Sequence, residues 1–210
     1  MRPIYFITLI VSAGFWAGCT RPSLNSQQKS FLLETPANPQ RLTAPVDGVL
    51  KIRHCRAIAP FDNPYFLYRT ESGRYQQDYY KLFLTPPNEQ INEHLRAWLE
   101  QSGIFRGVLP ASSSAKADYL LEPQLSALYT DLLDPTKPET VAKIHVVLLK
   151  IDKDYQPSLI IMEKTYEHRS LMQNNTSQDI INNYNLCFQT ILTQLQSDMI
   201  AVLTKRQNNE

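Results

Sequence analysis

Apolar and polar positions alternate with strand or helix periods over most of the chain. From Gly48 to Ile58, Leu50 and Ile52 fall on one face and Lys51 and Arg53 on the other, which predicts a half-buried strand. Pro60 and Asp62-Asn63-Pro64 then predict a turn. Tyr65–Arg69 and Tyr79–Leu84 read as strands around a second turn at Glu71–Arg74. A helix is expected over 86–102, with Thr85 as cap, Pro86 in its first turn and Ile91, Leu95, Trp98 and Leu99 at helical spacing. Gly103 stops it. A strand at Ile104–Leu109 and a small, polar loop at Ala111–Ala117 follow. Three long strand candidates come next: Asp118–Tyr129, Thr140–Asp152 and Ser158–Ser170. The turn chemistry between them predicts an antiparallel meander. Thr140–Asp152 is apolar on both faces, so it is expected to be central and covered on both sides, or to turn its second face to a partner. Ile180, Tyr184, Cys187, Phe188, Ile191, Leu195, Met199 and Val202 form one stripe of a long helix over 178–204. Ser177 is its expected cap, Asp179 lies in its first turn, and Lys205 and Arg206 close it. The sum is an α+β fold: a mixed, largely antiparallel sheet with two main helices.

The N-terminal segment has a different pattern. One basic residue, Arg2, precedes an apolar run from Ile4 to Phe15. This run is about 12 residues, and roughly 20 are needed to span a bilayer as a helix. Residues 1–18 therefore read as a secretory signal. Ala17, Gly18 and then Cys19 resemble the lipobox of bacterial lipoproteins, with Trp16 standing where an aliphatic residue is usual. The resemblance implies that Cys19 receives a diacylglycerol thioether, that the chain is cut before it, and that the freed amine is acylated, for example with palmitate. An ordinary cleaved signal with Cys19 near the cut is the alternative. Two or more acyl chains anchor stably where one holds only marginally. Residues 19–30 then form a lipidated cysteine and polar tether, and 31–205 a single α+β domain whose first strand candidate is Phe31–Glu34.

Composition narrows the function. Apolar residues at 43% and charged residues at 20% exclude a disordered chain, and a net charge of +1 gives no footprint for nucleic acid. His54, His94, His145 and His168 are scattered without metal-ligand spacing, and six glycines leave little for a phosphate loop. His54 beside Cys55 would point to opposite faces of a strand. The expectation is no catalytic site, no metal and no cofactor beyond the covalent lipid on Cys19. Cys55 and Cys187 could pair in an oxidising compartment, or remain two partly buried thiols. Tyr65, Tyr68, Arg69 and Tyr79 lie in an aromatic-rich hairpin and are candidates for a partner surface, since Tyr and Arg are enriched at interfaces. The competing reading is an ordinary hairpin with tyrosines riding on its outside.

The order of elements resembles a known family. A lipobox cysteine and short tether lead to a strand at Gly48–Ile58, then Tyr68-Arg69 ahead of a Tyr-rich strand. A Pro-started helix ends in Leu99, Gly103 and Phe105. A long strand opening Asp118-Tyr119-Leu120-Leu121 and a long C-terminal helix complete the order. Over roughly residues 30–203 this is similar to the ABC-type transport auxiliary lipoproteins, the PqiC-like group. The resemblance implies an auxiliary component of an intermembrane lipid transport system, working with an MCE-domain protein and an inner-membrane ABC transporter. It implies phospholipid as a candidate ligand and assembly into a homo-oligomer. With Thr20 rather than Asp after Cys19, it implies a lipid anchor on the periplasmic face of the outer membrane. The alternatives are another lipoprotein adaptor, such as a peptidoglycan-synthase activator or a secretion pilotin, and a stand-alone lipid carrier.

Overall fold

The computed structural model describes residues 27–34, 39–42, 46–152, 157–174 and 176–207. The signal segment, Cys19 and most of the expected tether lie outside these residues. The first five strands are β1 (Lys29–Phe31), β2 (Val46–Ile52), β3 (Arg56–Ala57), β4 (Tyr65–Glu71) and β5 (Arg74–Phe83). Helix α1 (Pro87–Ser102) follows, then β6 (Phe105–Leu109), β7 (Tyr119–Asp131), β8 (Glu139–Ile151), β9 (Pro157–Leu171) and helix α2 (Ser177–Gln207). The architecture is α+β, with one mixed sheet whose longest ladders are antiparallel.

Strand β7 is the spine. On one edge it runs antiparallel to β8 from Tyr119↔Lys150 to Asp131↔Glu139, and β8 continues the meander to β9. On the other edge three shorter strands join it in parallel, one after another: β2 at Leu50↔Tyr119, β3 at Arg56↔Gln124 and β4 at Tyr68↔Thr130. β6 extends the branch beyond β2, and β5 and then β1 extend the branch beyond β4. Helix α1 packs against β6 and β7, and α2 against β8 and β9. The helices meet where Trp98 Nε1 donates to Gln196 Oε1 at 3.0 Å, a buried bond that satisfies the indole N–H. Ile180, Tyr184, Cys187, Phe188, Ile191, Leu195 and Met199 are all buried in the core, so the stripe read along the sequence is the face α2 lays on the sheet.

Four local expectations are corrected. Helix α1 starts one residue later than expected: Pro86 is its N-cap, with ψ 136°, and Pro87 opens the helix without a side-chain cap. The ring of Pro87 excludes the α region at the residue before it, so Pro86 cannot be helical. Helix α2 is capped by Thr176 rather than Ser177: Thr176 Oγ1 accepts from the Asp179 N–H at 3.1 Å, and Asp179 Oδ2 accepts from the Asn174 N–H at 2.9 Å. The strand expected over Gly48–Ile58 divides into β2 and β3, because the Cys55 N–H donates to Asn92 Oδ1 of α1 at 3.0 Å instead of to a strand. Lys29 and Ser30, read as tether, pair with Lys81 and Leu82, so the first strand begins earlier than expected.

Strand β8 is internal, as expected, with one face buried along its length and the other buried only at Val141, near its start. Ala142, Ile144, Val146 and Leu148 are buried under α2, whereas Lys143, His145, Val147 and Leu149 stay half-buried. That second face carries cross-strand polar pairs to β9: Lys143 Nζ to Glu167 at 3.0 Å, and His145 Nδ1 with Thr165 Oγ1 at 3.0 Å.

Two glycines are required by backbone geometry. Gly103 ends α1 at φ 65° and ψ 21°, the left-handed conformation that glycine adopts without penalty. Gly48 has φ 145°, and a Cβ there would lie 2.8 Å from Cε2 of Tyr119, the first residue of β7. Gly48→Ala should therefore destabilise the fold by about 2 kcal/mol. Gly107→Ala, with no atom within 4 Å of the added carbon, should stay within about 0.5 kcal/mol of the parent. Urea midpoints of the two variants provide the comparison.

Candidate functional site

The tyrosine-rich hairpin of β4 and β5 sits where the chain enters the fold. Gln28 Nε2 donates to the Tyr79 carbonyl at 3.0 Å, and β1 then runs parallel to β5 from Lys29↔Lys81 to Phe31↔Phe83. Within the hairpin the register jumps between Phe66↔Asp78 and Tyr65↔Leu82, so Tyr79, Tyr80 and Lys81 have no partner on β4. This is a bulge, a device that re-aims side chains. Asp78 holds it: one carboxylate oxygen accepts the Tyr80 N–H at 3.0 Å, and the other lies 3.3 Å from Lys81 Nζ and 3.4 Å from the Tyr68 hydroxyl. The result is two consecutive exposed tyrosines, Tyr79 at 63% and Tyr80 at 55%, with the Tyr65 ring edge-on to Tyr79 at 5.4 Å. Exposed Leu32 and Leu84 flank the same edge, joined by the Leu84 N–H to Phe31 O bond at 2.8 Å.

The four residues singled out in this hairpin part company. Tyr65 and Tyr79 share the exposed patch. Tyr68 is turned onto Lys81, whose ammonium lies 5.6 Å from the ring centroid and 3.3 Å from the hydroxyl. Burial raises the Tyr68 pKa, with Lys81 opposing the rise. Arg69 is committed inward. Its guanidinium makes a two-pronged bond to Asp131, the last residue of β7, and lies 5.2 Å from the Tyr129 ring centroid. Phe61 and Tyr75 pack on the same ring. Tyr80, Leu32 and Leu84 were not singled out from the sequence, because their exposure follows from the bulge and from the pairing of β1 with β5.

Asp131 is the centre of an ionic cluster that joins the two branches of the sheet. Besides Arg69 of β4 it accepts from Arg169 of β9 at 3.2 Å, and Arg169 also reaches Glu167 and Glu139 at 3.1 and 3.4 Å. Burial alone would raise the Asp131 carboxyl pKa. Bonds from Arg69, the Leu133 N–H and Arg169 outweigh burial and hold it below the ordinary value of 3.8. This is a structural clasp, with every charge matched by another within the cluster.

Cys55 and Cys187 are buried free thiols, Cys55 beside α1 and Cys187 with its sulfur 3.6 Å from Thr140 Oγ1. Burial pushes their pKa values up to about 12 and about 11, opposed by hydrogen bonds at each. His54 is exposed while Cys55 is buried. Among the described residues no three His, Cys, Asp or Glu side chains converge as metal ligands would. No helix among them is long and apolar enough to cross a membrane.

No protein-family model and no curated protein matches this chain. Several solved structures share its fold. XCC0632 from Xanthomonas campestris, described as DUF330, is 15% identical over 86% of this chain and 99% of its own length, with a TM-score of 0.71. An uncharacterized protein is 12% identical over 85% of this chain and 98% of its own, with a TM-score of 0.57. The hypothetical protein CT253 from Chlamydia trachomatis is 13% identical over 74% of this chain and 99% of its own, with a TM-score of 0.50. At these identities the likeness is one of fold.

Two outcomes follow from the buried groups. A carboxyl whose pKa is lowered by folding stabilises the fold above its ordinary value and loses that contribution as the pH falls through the lowered one. Stability should therefore drop as acid is added below the ordinary Asp131 value of 3.8, less steeply in Asp131→Asn, which should itself cost about 2 kcal/mol at neutral pH by leaving Arg69 without its carboxylate. Urea denaturation across pH 7 to about 3 measures both. Cys55 and Cys187 should give no reaction with a thiol-specific chromogenic disulfide at mildly alkaline pH in the folded protein, and should both react once urea unfolds it.

Proposed function

We propose that the protein is a lipid-anchored lipoprotein on the periplasmic face of the outer membrane, acting as a non-catalytic auxiliary component of an ABC/MCE-type intermembrane lipid transport system. The observation that carries the reading is Cys19, placed directly after a short apolar run and the pair Ala17-Gly18. Cleavage before Cys19 and acylation of both its sulfur and its new amine would fix the chain to one leaflet. The α+β order of the described residues supports the resemblance to auxiliary lipoproteins, since the meander, the Pro-started helix and the long C-terminal helix stand in the expected sequence.

The chemistry of the domain supports an adaptor more than a catalyst or a stand-alone carrier. The buried thiols have raised pKa values, which favours the unreactive protonated form. The ionic cluster at Asp131 is satisfied internally. A carrier would need an apolar cavity for acyl chains, and the side chains along the α2 stripe are instead packed into the common core. In this role the domain is held at the membrane by Cys19 and offers its surface to an MCE-domain protein whose far end approaches that leaflet.

Wild-type protein expressed in an envelope that contains the transport system should sediment with membranes and co-purify with the MCE-domain protein after detergent extraction. Cys19→Ala should appear in the soluble fraction, with an unchanged urea midpoint because Cys19 precedes the described fold. Membrane-bound wild-type protein that brings down no MCE-domain protein would leave the anchor standing and remove the transport role.

A further inference from the structure

We propose that the bulged tyrosine edge, formed by Tyr65, Tyr79 and Tyr80 with Leu32, Leu84 and Lys29, lies against the phospholipid headgroup surface of the leaflet that holds the anchor. The inference rests on the reading of Cys19 as the lipidated residue and adds an orientation to it.

Three observations converge. The first is where the chain outside the described residues joins the fold: Gln28 is bonded to Tyr79, and β1 lies on the outer edge of β5. The segment from Cys19 to Gln28 spans at most about 30 Å when fully extended. The edge at which the tether arrives is therefore the part of the domain held nearest to the bilayer.

The second is the chemistry of that edge. Tyrosine has an apolar ring and a polar hydroxyl, and it is enriched at the membrane–water boundary because it satisfies both sides of it. Here consecutive tyrosines are more than half exposed, a third ring packs edge-on against one of them, and two leucines exposed at 51% and 62% lie further along the same edge. Lys29, also exposed, adds a cation of the sign that attracts anionic headgroups. Exposed apolar residues grouped in this way mark a binding surface more often than scattered ones do.

The third is that the patch is built rather than loose. Asp78 fixes the bulge from within through the Tyr80 N–H, while Lys81 and Tyr68 close around the same carboxylate. Placing Tyr79 and Tyr80 outward thus uses a partly exposed polar arrangement that a regular hairpin would not need. Arg69 is excluded from the surface by Asp131, so the exposed face is aromatic and aliphatic rather than strongly charged.

The test uses the full mature lipoprotein, purified in detergent and reconstituted into vesicles of phosphatidylethanolamine and phosphatidylglycerol, with or without phosphatidylcholine brominated near the glycerol end of its acyl chains. Tyr79→Trp and Tyr80→Trp report from the bulge. Arg74→Trp reports from the exposed turn at the other end of β5. Buried Trp98 gives a constant background, measured in the parent protein. Trp at Tyr79 or Tyr80 should lose about half its emission to the brominated lipid, as expected for a ring at the headgroup–acyl boundary. Arg74→Trp and the parent should stay within about a tenth of their unquenched values. Unquenched bulge variants on protein that floats with the vesicles would overturn the orientation and leave the anchor intact. That result would assign the patch to a protein partner. Protein that fails to float would overturn both.

Discussion

The fold depends on β7 being paired along both edges. One continuous strand forms a long antiparallel ladder with β8 and, on its other side, receives β2, β3 and β4 in turn. Parallel strands need crossover connections, and each of these three reaches β7 from far along the chain. Their alignment is thus set by β7 itself, through helix-facing Leu121, Leu125 and Leu128 and through the close approach of Tyr119 to Gly48. At the far end of β7 the clasp of Asp131 with Arg69 and Arg169 ties the branch carrying β4 and β5 to the meander carrying β8 and β9. Breaking one partner of such a pair is costly because the remaining charge is left partly buried.

Elements whose stability is local or periodic could be read from the sequence. The meander, the alternation of Leu50 and Ile52 against Lys51 and Arg53, and the α2 stripe each follow from spacing alone. Features decided by a distant partner could not. The break between β2 and β3 exists because Asn92 of α1 takes the Cys55 amide. The second face of β8 looked apolar because Val147 and Leu149 stand out in the sequence, whereas its polar members find cross-strand partners on β9. Of the hairpin residues, aromatic density drew attention to Tyr65 and Tyr79. No pattern in the sequence told that Asp131 would turn Arg69 inward or that a bulge would turn Tyr80 outward.

These two events divide the hairpin between stability and surface. Arg69, Tyr68 and the rings around Tyr129 hold the sheet together, and the bulge releases tyrosines to the outside at the edge where the chain arrives. The Asp131 cluster is matched internally and both thiols are buried, so what the proposed role asks of the domain is its position. In the proposed role that position is set by a single residue, Cys19, and the short stretch between it and β1.

The most direct measurement is therefore the intact mass of the protein extracted from membranes, with fragmentation of its N-terminal peptide. The account predicts a chain that begins at Cys19, heavier than its sequence by a diacylglyceryl group and an amide-linked acyl chain. A mature protein that begins elsewhere, or a Cys19 with a free thiol, would contradict it.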